Sequence, residues 1–191
     1  MSKKEQRREQ VAKQKRMQNL KIIIPVVAVV AILGGILLVR ALQPEVEGTT
    51  VISSAPGNQH DADLTFTGGG LPPMGGPHNP SWLNCGIYDQ PVPAENAIHS
   101  MEHGVVWVTY DPDIAQTEIE TLTDTVRGDN LVILSPYPDQ SGSIVMTTWD
   151  RQLVLETAVD ERFDEFMSQY RGKRGPENSV GCAGGIGNPV G

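Results

Sequence analysis

Cysteine is nearly absent from the 191 residues: there are two, Cys85 and Cys182, and no Cys-x-x-Cys. Thioredoxin-type redox chemistry therefore has no support. Basic residues become scarce after Arg40, with six Lys or Arg against 21 Asp or Glu. So acidic a stretch excludes nucleic acid as a partner. No G-x-S-x-G surrounds Ser100, so a nucleophile elbow is missing. The triple glycine Gly68-Gly69-Gly70 leads into Pro72-Pro73 and not into a helix, which excludes a phosphate-binding loop. Internal repeats are absent. Histidine is scarce as well, with four in the chain, His60, His78, His99 and His103, gathered in one stretch.

What is present begins with an apolar run. Residues 22–39 are 18 consecutive apolar, Pro or Gly residues without a charge. At a rise of about 1.5 Å per residue they reach roughly 27 Å, close to the hydrocarbon thickness of a bilayer. Residues 1–21 carry eight Lys or Arg against two Glu. The positive-inside rule then predicts a basic cytoplasmic tail (1–21), a single transmembrane helix (22–40) and an extracytoplasmic remainder. The basic region is long, and no small-x-small site closes the run, so an uncleaved anchor in the cell membrane is expected and not a signal peptide. Outside the cytoplasm a lone pair of cysteines forms a disulfide, and Cys85 with Cys182 is the expected pair. Thiolate metal ligation is the alternative.

Residues 41–70 read as a tether and 71–191 as the external domain. Residues 71–93 are rich in Pro and Gly, which excludes helix and long strands there. Pro93 opens a short helix that Gly104 ends. Strand 105–110, helix 112–127, strands 131–135, 144–149 and 152–156, and helix 160–170 follow from the apolar periodicity. The last two strands read as a hairpin through Asp150-Arg151. The expected class is α+β, with a mostly antiparallel sheet and two to three helices. The β-α-β-β-α succession also matches the second half of a thioredoxin-like fold.

The histidines give the chemistry. In the run His99-Ser100-Met101-Glu102-His103 the two imidazoles stand about one helical turn apart. On a helix over 94–103, Glu95, His99, Glu102 and His103 share one side, while Ala94, Ala97 and Met101 take the other. A metal ion needs nitrogen donors that converge, and this spacing supplies two. His78 is the expected third ligand and His60 a fourth, with Glu95 and Glu102 as outer carboxylates that fix imidazole tautomers. Met74, four residues before His78, could add a thioether to a copper ion. The same five residues fit the zinc-peptidase pattern H-x-x-E-H, though no third ligand motif follows. The plain alternative is a polar, solvated helix face.

The elements Pro72-Pro73, Gly76-Pro77-His78, Trp82, Gly86-Ile87-Tyr88, Pro91 to Glu95 and His99 to Gly104 resemble the bacterial family called domain of unknown function 3105. The stretches Ser135 to Pro138, Trp149 to Gln152 and Cys182 to Gly185 are similar to it as well. The likeness covers about residues 58–190. It implies an N-terminal membrane segment with an external domain, and its motif falls on His78, His99, Glu102 and His103. Where relatives show Thr-Ser before the Gly-Pro-His element, this chain has Met74-Gly75.

The expectation is therefore a single-pass membrane protein that binds copper or zinc through its histidines. Two competitors stand beside it: a non-catalytic accessory subunit of a larger membrane complex, and a metal-dependent hydrolase.

Overall fold

The computed structural model describes residues 3–41, 43–53, 57, 59–178 and 180–191. They belong to two compact units, Met1–Glu45 and Val46–Gly191. The first unit is one helix, α1 (Lys3–Ala41), with Pro25 inside it. Among the described residues no helix is long and apolar enough to cross a membrane. The side chains of residues 22 and 37, both in the apolar run, lie outside the described residues, as do most of those in the basic tail. The transmembrane expectation for residues 22–40 thus finds no support in the structure.

The second unit is built on one six-stranded sheet. Its strands are β1 (Thr50–Val51), β2 (Gly86–Ile87), β3 (Val106–Tyr110), β4 (Val132–Pro136), β5 (Ile144–Thr148) and β6 (Arg151–Leu155), in the order β1-β6-β5-β3-β4-β2. Three helices accompany them: α2 (Ala94–Glu102), α3 (Gln116–Val126) and α4 (Glu161–Tyr170). Successive strand side chains point to opposite faces, so strands covered on both sides must be apolar throughout. Here Val106, Val108, Val132, Leu134, Ile144 and Met146 face one core with α3 and α4. The intervening Trp107 and Ile133 face a second core with Ala97, Ile98 and Met101 of α2. The sheet is the middle layer, and α2 has its far face to itself.

The expected class holds; the sheet is mixed, with three of its five strand pairings antiparallel and two parallel. Strand β4 runs parallel to both β3 and β2, while β3–β5, β5–β6 and β1–β6 are antiparallel. The reason is α3. A helix of 11 residues between two strands serves as a crossover, which brings β4 back beside β3 in the same direction.

Two peripheral stretches are also docked. Residues 41–70, read as a tether, include Val46 in the first core, strand β1 on the sheet edge, and bridges from His60 to His78 and from Gly70 to Gln140. The C-terminal tail pairs through Leu83 and Ile186, and Asn84 binds it with both side-chain atoms: Nδ2 donates to the Gly185 and Gly187 carbonyls, and Oδ1 accepts from Gly185 N–H. A side chain at position 185 would collide with Trp82, so glycine is required for that approach.

Helix α4 carries a small, testable contribution. Asp160 caps it, accepting from the Arg162 N–H at 3.0 Å and from the Arg162 guanidinium. Those side-chain hydrogen bonds hold the Asp160 carboxyl below the usual carboxylate range. Asp160→Ala should cost about 1 kcal/mol, a fall in Tm of roughly 2–4 °C by thermal unfolding.

Candidate metal centre

Helix α2 positions the site. Pro93 stands at its N-cap, where a missing N–H costs nothing. At the other end His103 is the C-cap and Gly104, at φ +96°, turns the chain away. Gly104 N–H donates to Met101 O and Val105 N–H to Ser100 O, the paired bonds of a Schellman end. Beta strand β3 therefore leaves immediately after the histidine run, and that run is fixed at the rim of the second core.

The helix also holds the proline-rich loop. Ser100 Oγ accepts from Leu83 N–H and donates to Leu83 O. Asn96 Nδ2 donates to Ser81 O, and Asn79 N–H to Glu95 O. Gly75, at φ +130°, lies flat against the Trp149 ring, where a side chain would be crowded. These contacts carry His78 to the helix. Its ring packs edge-on to Trp149.

Four donors meet there. Ligand atoms of His60, His78, His99 and Glu102 all lie within 4.8 Å of one another. His78 Nε2 is 3.0 Å from Glu102 Oε2, and His60 Nε2 is 3.8 Å from the same oxygen. The His60 ring stacks on His99 at 4.8 Å and stands edge-on to His78 at 4.9 Å. His78, His99 and Glu102 are buried, while His60 is 36% exposed and forms the solvent side. The polar side of α2 is thus not a solvated face.

The tautomers follow from the partners. A backbone carbonyl can only accept, so any ring nitrogen bonded to one carries the proton. His78 Nδ1 donates to Gly76 O at 2.7 Å, His99 Nδ1 to Asn79 O at 2.7 Å, and His103 Nδ1 to Gly181 O at 2.9 Å. In each ring Nε2 remains for another partner, the arrangement that orients liganding imidazoles. Burial holds His99 below the ordinary histidine value. Its bond to the Asn79 carbonyl opposes that shift, and repulsion from His103, His78 and His60 adds to it.

At His78, a lone pair on Nε2 would face a carboxylate oxygen 3.0 Å away, an arrangement that demands a positive centre between them. A proton could serve those two atoms. It could not serve His99 and His60 as well. A cation bonding at about 2.0–2.1 Å holds tetrahedral donors about 3.4 Å apart, so a small contraction of this cluster would enclose one.

The remaining candidates fall nearby. His103 packs 4.8 Å from the His99 ring, but its Nε2 is 3.7 Å from Glu177 Oε2, outside the four-donor group. Glu102, expected in the outer layer, stands among the donors. Glu95 accepts from Phe66 N–H at 3.5 Å and lines a separate groove of about 430 Å³ with Val92, Tyr137 and Asp139. Met74 is half-buried, and its carbonyl accepts from Asp150 N–H. Cys85 and Cys182 form a disulfide with Cα atoms 5.4 Å apart, so neither is a thiolate ligand. The orienting carbonyls of Gly76, Asn79 and Gly181 leave no sign in the sequence, because any residue supplies one. Trp82 packs 5.7 Å from His99 and 5.3 Å from His103; in the sequence it stands among the elements of the resemblance, with nothing to mark it as a neighbour of the histidines.

No curated protein and no solved structure matches the chain. A family model does, over residues 60–184, and that span contains every histidine and both cysteines. The chain belongs to the family described as Protein of unknown function (DUF3105).

Proposed function

We propose that this protein binds a transition metal ion, zinc or copper, through His60, His78, His99 and Glu102, on a domain anchored outside the cytoplasm. The observation that carries the reading is the convergence of four donors within 4.8 Å, three of them buried. Imidazole and carboxylate donors suit both metals. The H-x-x-E-H hydrolase reading is weaker, since it requires both helix histidines as ligands, and His103 turns to Gly181 and Glu177.

The anchor rests on the sequence. It is supported by the uncharged run 22–39 behind eight basic residues, and by the exposed flanks of Ile23, Val27, Val30 and Leu33 on α1. The disulfide supports an oxidising location.

The test is metal content and stability of the full chain in detergent, stripped by chelator and reloaded with zinc or copper(II). One ion per chain is expected. At a free concentration about 100 times Kd, that ion adds about 2.7 kcal/mol of stability, seen as a raised Tm. A chain that retains neither metal, with an unchanged Tm, would defeat the reading.

A further inference from the structure

The ligand set is unequal. His78 is locked into the loop, and His99 and Glu102 belong to α2, whereas His60 comes from residues 59–63, which form no strand or helix beyond one bridge. All five of these residues are exposed. Their backbone is tied to the domain by Asp61 N–H donating to His78 O at 2.8 Å and His78 N–H donating to Gln59 O at 3.0 Å. Hydrogen bonds of that kind exchange almost evenly with water, while ordering each residue costs entropy. Burial of an apolar side chain contributes nothing, because none in 59–63 is buried. From this segment the His60 ring reaches into the domain, against His78, His99 and Glu102.

We infer that the metal ion is a clasp for this segment: ion binding at His78, His99 and Glu102 captures His60 and closes residues 59–63 over the site, and ion loss releases them. The inference rests on the proposed metal centre and adds its regulation. Coupling is reciprocal. An ion that favours the closed segment by some factor is itself bound more tightly by that factor when the segment can close. The segment also precedes the stretch through which Phe66 N–H reaches Glu95, so closure joins the two ends of α2. Metal occupancy would thereby be read out as order or disorder of residues 59–63.

Hydrogen exchange on the full chain tests this, using the amides of Asp61 and His78 with zinc or copper(II) present and after chelation. Both should exchange about tenfold more slowly with the ion through local opening, while the Val108 amide in β3, which exchanges through global unfolding, reports the overall gain in stability separately. His60→Ala, a change at an exposed side chain, should still bind the ion, about tenfold more weakly, with exchange at Asp61 no longer responding to it. A bound ion that leaves both amides unchanged in the wild type overturns the clasp alone. So does a His60→Ala chain that keeps wild-type affinity and protection. Failure to bind any ion overturns the metal centre itself, and the clasp with it.

Discussion

His78→Ala combined with His99→Ala should abolish stoichiometric metal binding. Loss of a partner behind a ligand costs about 10–100-fold in affinity, so removing two donors that touch the ion should cost at least about 10²-fold and as much as about 10⁴-fold or more. The two positions come from different parts of the fold, a proline-stiffened loop and a helix, and each ring is oriented by its own backbone carbonyl. What remains, Glu102 with the exposed His60, is a site open to water with two donors. Isothermal titration with zinc and copper(II) measures the loss, and circular dichroism checks that the fold persists. A double variant that keeps wild-type affinity would mean the ion sits elsewhere.

Cys85→Ser should be the most damaging change away from the histidines. The bond closes a loop of 97 residues, and in the chain-entropy account such a loop contributes about 4–5 kcal/mol. For a unit of this size that is a fall of roughly 10–20 °C in Tm. The consequence is also local. Cys182 follows Gly181, whose carbonyl orients His103, and the same tail sends Glu177 N–H to Glu102 O. Freed of its bond, the tail should lose protection in hydrogen exchange across residues 172–191 before the sheet does. Uniform loss throughout the domain would show that the tail is not held as described.

Much of the fold was legible because each signal was local. Pro93 and Gly104 bracketed α2 within a residue, and the β-branched runs gave β3 to β6 nearly at their observed ends. Pairing was another matter. The parallel direction of β4 follows from α3 crossing the sheet, and nothing in Val132–Pro136 itself distinguishes a parallel partner. The edge contributions of β1 and β2 escaped because two-residue strands leave no period to read. At the site, helical spacing brought His99 and Glu102 to one side, as observed. It could not separate His99 from His103, because the Schellman end turns the latter toward the tail, a long-range contact with Gly181. Likewise His60 sat in a stretch that composition marked as a tether, and only its bridge to His78 brings it in.

X-ray absorption at the metal edge of the loaded chain reads whether the cation has three imidazoles and a carboxylate around it. A shell of nitrogen and oxygen at about 2.0–2.1 Å is expected, with the outer scattering of about three imidazole rings and no sulfur. A sulfur shell near 2.3 Å, or the spectrum of a hydrated ion without imidazole, would contradict it.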